Sequence, residues 1–329
     1  MPESPPANVF ACPFCGWSNN ISPAALEKVQ VRCARCKLPL KNRHHAKFRH
    51  LDSQVYVHPL DAEASLNLQK LPGMQALLQK MQPLAEQSYC EAFFASNSLR
   101  VSEQQYPDLY AKLVAACTTL GMPTIPHLYI SLVDLSGEMG VHTFSGGIEV
   151  PFIVISAQML DVMDEQDILI ALAHELGHIH LGHMRYKVAA DFMALLLSKT
   201  FKKTPLEAVA DTISQPAQQA LLSWRLKANL SADRSAMLVI QDQMAVYSFL
   251  MKQAGGVVPS KANLEAFVEQ ARGLNLQLVY NWLDKYWQQL LFSRTTYSFP
   301  VWRAAELTQW SREKLKGYGY DEIVKIFAA

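Results

Sequence analysis

Apolar residues recur at helical spacing over most of the chain. From residue 61 to about 99, Leu77, Leu78, Met81, Leu84 and Ala85 mark one helical face, interrupted at Pro72-Gly73 and Pro83. The short run Val55-Tyr56-Val57, just ahead of Pro59, reads as extended. Residues 106–120 predict a helix that Gly121 and Pro123 stop. Three β-like runs follow at 127–133, 141–144 and 152–155, with Gly137, Gly140, Gly146 and Gly147 as turn residues of a small antiparallel sheet. Beyond residue 164 the pattern predicts helices over 164–184, 187–201, 216–229, 231–254, 260–272, 276–292 and 300–316. There is no internal repeat and no alternation of strand and helix, so the layout is α+β: mainly helical, with one small antiparallel sheet.

At 329 residues the chain can bury a sizeable core, and half its residues are hydrophobic. A formal net charge of +1 excludes a polyanion binder acting through the charge of the whole chain. The charge is uneven, however. Residues 1–50 carry eight Lys and Arg against two acids, net +6, which leaves −5 for the remainder. This break sets off residues 1–50 as a distinct basic unit, with 51–329 as the main domain and 51–100 as its helical lead-in. The Pro-rich first residues lack the basic-then-apolar order of a secretory signal. The apolar run at 192–197 is far short of the roughly 20 residues that span a bilayer. The expectation is a cytoplasmic protein with no transmembrane segment.

Candidate chemistry appears first in the basic unit. Cys12-Pro13-Phe14-Cys15 and Cys33-Ala34-Arg35-Cys36 are two C-x2-C pairs separated by 17 residues. Two thiolates three positions apart on a tight turn can share one tetrahedral zinc, and two such turns close its shell. Gly16 stands where such a turn needs a positive backbone angle. The pattern predicts a structural zinc ribbon. The basic run 41–50 that follows could touch nucleic acid or an acidic protein surface, although a solvated linker face is the plainer reading. Cys90 and Cys117 fall in helical patterns as small core residues.

The second candidate lies on an apolar helix. His174 and His178 of His174-Glu175-Leu176-Gly177-His178 are four apart and point to one side, so both can bind one zinc. Glu175 beside them can take a proton from water and return it to a leaving amine. Gly177 suits close helix packing. On a continuous helix His180 and His183 point away from the His174/His178 face and read as surface or supporting residues.

Around this motif, residues from about 60 to 312 resemble the soluble bacterial branch of the HtpX and CAAX-prenyl-protease type zinc metallopeptidases. The stretches that carry the resemblance are Leu51-Asp52 to Leu71-Pro72-Gly73, Tyr106 to Tyr110, Pro151 to Ser156, Ile170 to Ile179, Leu230-Ser231-Ala232-Asp233-Arg234 and Phe299 to Glu306. The resemblance implies a gluzincin, in which a Glu on a later helix is the third zinc ligand and an Asp four residues on supports a ligand His. Here Asp233 is that Asp, orienting His174, and the Glu position holds Asn229. An amide oxygen can coordinate zinc but brings no charge, so zinc should be held less tightly. Glu207, with Asp211 four later, is the substitute candidate. Where relatives carry a His near the substrate carbonyl, this chain has Thr296-Tyr297-Ser298-Phe299-Pro300, and Tyr297 is the candidate donor to an oxyanion. The implied function is a zinc-dependent endopeptidase of reduced activity that acts on peptide or unfolded protein, with residues 141–144 as an edge for an extended substrate. Its cofactors would be one catalytic-type and one structural zinc. The alternative is a non-catalytic binding or scaffold protein that keeps the fold and acts through the ribbon on a protein or nucleic acid.

Overall fold

The computed structural model describes residues 9–21, 31–40, 45–76, 78–79, 90–133, 141–197, 215–255, 261–291, 299–312 and 319–328. The α+β class stands. Strands β1 (Val9–Ala11) and β2 (Ser18–Asn20) form an N-terminal antiparallel ribbon. Helices α1 (Pro59–Lys70) and α2 (Cys90–Asn97) lead into the strand β3 (Leu99–Arg100) and helix α3 (Pro107–Leu120). Strands β4 (His127–Ser131), β5 (Thr143–Gly146) and β6 (Phe152–Ser156) complete a four-stranded sheet. Helices follow to the end: α4 (Ala157–Val162), α5 (Glu165–His180), α6 (Met184–Leu197), α7 (Gln215–Ile240), α8 (Gln243–Gln253), α9 (Leu264–Arg272), α10 (Leu276–Leu291), α11 (Pro300–Arg312) and α12 (Tyr320–Phe327).

The strand order is β3-β4-β6-β5. Two of its three pairings are antiparallel as expected, but the central pair β4–β6 is parallel. The chain leaves β4, crosses to the far edge as β5, and turns back to insert β6 between them. β6 is buried along its whole length, which fits its uninterrupted apolar run Phe152-Ile153-Val154-Ile155. β5 is therefore an edge strand beside α5.

Local chemistry explains where the elements differ from expectation. Residues 53–56 form a 3-10 helix rather than a strand, because the Asp52 carboxylate accepts from the Gln54 N–H at 2.9 Å and starts a turn. The sequence pattern divides 216–254 at residue 230, whereas α7 runs unbroken to Ile240. Ser231, at the expected break, stays inside the helix and donates its hydroxyl to the Asp61 carboxylate at 2.5 Å. The true break is at Gln241 (φ +52), after which the Asp242 side chain caps α8. Among the elements the pattern did not predict are β3, α4 and α12.

Helix α5 is central. Asp164 and Asp167 form a capping box at its start, and the Lys252 ammonium of α8 sits 2.9 Å and 2.5 Å from the two carboxylates. Its far end packs on α7 at Gly177, where an added Cβ would lie 2.7 Å from the Ser235 Cβ. The glycine thus permits the close approach expected from the sequence.

The ribbon is continuous with this core. Phe14, Leu38, Leu40 and Phe48 belong to the same buried cluster as Leu172, Leu176 and Val239. The linker reads as solvated in the sequence, yet His45, Ala46 and Phe48 are buried. Its polar groups serve helix ends: His45 Nε2 lies 2.7 Å from the Val239 carbonyl, Ala46 and Gln241 exchange two hydrogen bonds, and the Phe48 N–H donates to Thr119 O. A division of the chain at residue 50 is thus a proposal about folding units and is not marked by a gap in packing. Among the described residues no helix is long and apolar enough to cross a membrane. Cys117 is buried as expected, and burial pushes its thiol up to about 12. The Cys90 side chain lies outside the described residues.

Candidate metal centres

The two cysteine pairs fold into matching turns. The Gly16 N–H donates to Cys12 O at 2.9 Å and the Lys37 N–H to Cys33 O at 3.0 Å. Gly16 (φ +73) and Lys37 (φ +59) both take the left-handed conformation that the turn demands. Cys12 Sγ lies 3.7 Å from Cys36 Sγ, and Cys15 Sγ 3.7 Å from Cys33 Sγ. All four sulfurs lie within 4.8 Å of one another, a donor set suited to tetrahedral zinc with no open position. Among the described residues these cysteines are the one group of three or more His, Cys, Asp or Glu placed to share a metal ion.

The second centre is built from α5 outward. His174 and His178 stand one turn apart with ring centroids 5.0 Å apart. The His174 Nδ1 lies 2.9 Å from Asp233 Oδ1 on α7. Arg303 of α11 grips the same carboxylate through Nε (2.6 Å) and Nη2 (2.5 Å). Burial alone would raise the Asp233 pKa, but the Arg303 charge and the hydrogen bonds from Arg303 and His174 hold it at about 2. Asp233 thus sits where the resemblance implies, as the outer partner of His174.

His178 is held differently. Its Nδ1 lies 3.0 Å from the Nδ1 of His183, whose Nε2 lies 3.1 Å from Asp61 Oδ2 on α1. The sequence reading sends His183 away from this face because it extends the helix to 184. The helix instead stops at His180, Gly182 takes φ +70, and the turn swings His183 back onto His178. Gly182 was the available signal, as a helix-stopping residue. His180 does point elsewhere, with Nδ1 2.8 Å from the Tyr56 hydroxyl.

With each Nδ1 engaged from outside, Nε2 is the ring nitrogen of each that could meet a metal ion. The Asn229 side chain lies beside the His178 imidazole, one helical turn before Asp233 on α7. The structure therefore brings Asn229 to the pair, and a neutral donor set of two imidazoles and an amide could hold a divalent ion here. Burial, then the neighbouring charges of His174, His183 and Lys187, push the His178 pKa well below its ordinary value, which keeps the ring neutral as a ligand must be. Glu207 and Tyr297 lie outside the described residues.

Glu175 is buried on the same helix. Its carboxylate accepts from the Ser145 hydroxyl at 2.7 Å and the Thr143 hydroxyl at 3.2 Å, so alternate residues of β5 fix its orientation. The Ser156 N–H donates to His142 O, so residues 144 and 146 face β6 across the ladder, and the backbone groups of Thr143 and Ser145 face the open edge. One of these is engaged: the buried Lys187 ammonium donates to Ser145 O at 3.1 Å. Nothing local in the sequence assigns a role to Thr143, Ser145, Lys187, Arg303 or Asp61, since each is defined by what it meets across the fold.

Comparison with known proteins is consistent with this geometry. Residues 133–311 match the model of Peptidase family M48. Over 287 residues the chain is 30% identical to the plastoglobule-localized metallopeptidase 48, chloroplastic, of Arabidopsis thaliana, covering 87% of this chain and 78% of that protein. No solved structure matches the chain.

Proposed function

This chain belongs to peptidase family M48, and on that premise we propose that it is a zinc-dependent endopeptidase. In this reading His174 and His178 bind zinc through Nε2, Asn229 fills the third protein position and Glu175 is general base and acid. The observation that carries it is the pair of imidazoles anchored from behind at Nδ1, by Asp233 and by His183, with Asn229 against His178. A zinc ion held there supplies a Lewis acid that activates water and polarises the scissile carbonyl.

The rest is the work of the chain. An extended peptide or unfolded protein segment pairs with the open edge of β5 at Thr143. The Ser145 and Thr143 hydroxyls hold Glu175 beside β5, and there its carboxylate takes a proton from water and passes it to the departing amine. Tyr297 stays the candidate donor to the oxyanion. The ribbon carries a second, structural zinc, and its basic surface is the candidate contact for a protein or nucleic-acid partner. We also propose a cytoplasmic location, which fractionation of cells would check by recovery in the soluble fraction.

One observation favours a rival. The third position holds a neutral amide instead of a carboxylate, as a non-catalytic binding protein that acts through the ribbon would tolerate. Casein cleavage by the wild type and by Glu175→Gln separates the two. The peptidase reading expects cleavage that falls by about 10²-fold or more in the variant, with zinc content unchanged. A wild type that never cleaves, even with excess zinc, favours the binding protein.

A further inference from the structure

We infer that His183 and Asp61 are positioning residues that fix the proton of His178 on Nδ1 and so present its Nε2 lone pair to the metal. The inference deepens the zinc reading above and rests on it for its consequence, but the tautomer itself is a property of the chain alone.

The argument starts at Asp61, which is buried on α1. Ser231 accepts from the His58 N–H at 2.8 Å, so its own hydroxyl proton points to Asp61 Oδ2. The Ser65 hydroxyl donates to Oδ1 at 3.3 Å. His183 Nε2 is the third contact, at 3.1 Å from Oδ2. A carboxylate surrounded by donors is the ionised form, and it can only accept. Burial would raise its pKa, yet the His183 contact and the serine hydroxyls outweigh burial and hold it low.

Proton bookkeeping then runs one way. His183 must carry a proton on Nε2 to reach Asp61. The Nε2-protonated tautomer of His183 has a bare Nδ1, which can only accept. The group 3.0 Å away is His178 Nδ1, which must then be the donor. His178 is left with its lone pair on Nε2, the atom a metal needs, and in metal-free protein the Asn229 amide beside that ring meets it as a donor through its N–H. His174 reaches the same state directly, because Asp233 accepts from its Nδ1. The two ligand histidines are thus set by unequal devices, a direct carboxylate for His174 and a histidine-relayed carboxylate for His178. Both outer partners lie outside the helix that bears the ligands, one on α1 and one on α7.

The inference is tested on the full chain by ¹⁵N resonances of the imidazoles in protein freed of metal, together with zinc affinity from competition with a chelator. The wild type should show His178 protonated at Nδ1 and His183 at Nε2. In Asp61→Asn the new amide can donate to His183 Nε2, which reverses the relay and moves the His178 proton to Nε2. Zinc at this site should then weaken by about 10- to 100-fold. His183→Gln, whose carbonyl can still accept from His178, should keep more affinity than His183→Phe, a difference that loss of packing alone would not produce. If Asp61→Asn fails to fold, the two His183 variants and the wild-type tautomers still decide. A wild-type His178 protonated at Nε2 would overturn the inference, as would equal affinity in the two His183 variants. Should the wild type show the expected tautomers yet bind zinc in its ribbon alone, the tautomer assignment stands and the zinc reading falls.

Discussion

The two candidate metal centres of this chain are built on opposite plans. The ribbon takes all its donors from two turns, each closed by its own backbone hydrogen bond between residues four apart. Four sulfurs suit a closed shell, and the ribbon's own Asn19 on β2 helps aim them, its amide nitrogen 3.7 Å from Cys33 Sγ and its Oδ1 accepting from the Ala34 N–H at 2.9 Å. The peptidase-type centre, as proposed, would take two imidazoles from α5 and an amide from α7, aimed by Asp233 of that same α7 and by Arg303, His183 and Asp61 from three further places in the chain. A closed set of local donors suits a structural ion, and an open set aimed by distant groups suits chemistry. The contrast also has an electrostatic side. Four thiolates bring charge to the ribbon, whereas two imidazoles and an amide bring none to the second centre.

The largest effect should come from breaking the local plan. Cys33→Ser should release about one zinc per chain, because a structural zinc contributes on the order of 10 kcal/mol to folding a small metal domain. Phe14, Leu38 and Leu40 share a cluster with the main core, so the melting temperature of the whole chain should fall as well. Zinc content and a thermal melt check both. A zinc content that stays unchanged would remove the ribbon reading.

The distributed plan should fail in acid. Asp233 sits at about 2 against an ordinary 3.8. A depressed carboxylate contributes stability that is complete above its unfolded pKa and lost as the pH falls through its folded one. The contribution is about 2 kcal/mol, lost between about pH 4 and pH 2. Melts of the wild type and Asp233→Asn should differ most near neutrality and converge toward pH 2. A gap that does not change with pH would contradict the assignment.

A smaller effect tests the packing that joins the two helices of the second centre. Gly177→Ala places a methyl group 2.7 Å from the Ser235 Cβ. Overpacking of this kind costs about 1–3 kcal/mol, and zinc at the second centre should weaken while the ribbon zinc stays. Chemical denaturation and metal analysis of the variant would show it.

The same contrast explains what could be read from the sequence. The cysteine turns and the His174–His178 pair are legible because their geometry is set by neighbours in the chain. Asp233 and Asn229 are legible only through family resemblance, since nothing local marks a helix residue as facing another helix. His183 is one of two residues read as surface or supporting, and it proves supporting, but its direction is misread because that depends on where α5 stops, and the left-handed Gly182 moves that point by a few residues. The pattern divides α7 at residue 230, where the helix in fact continues and Ser231 serves Asp61 from within it. The parallel placement of β6 follows from which strand reaches the edge, and periodicity within a strand carries no such information.

The central claim is that the second centre is a zinc site weakened by its neutral third ligand. It is tested most directly by titrating zinc from the full chain with a chelator of graded strength, for the wild type and for Asn229→Glu. The account predicts two zinc ions per chain in the wild type, one released well before the other. Asn229→Glu should tighten the early one by at least about tenfold, equivalent to about 1.4 kcal/mol, and leave the ribbon zinc unmoved. An early zinc whose affinity is the same in both proteins, or a chain that holds zinc in the ribbon alone in both, would contradict it.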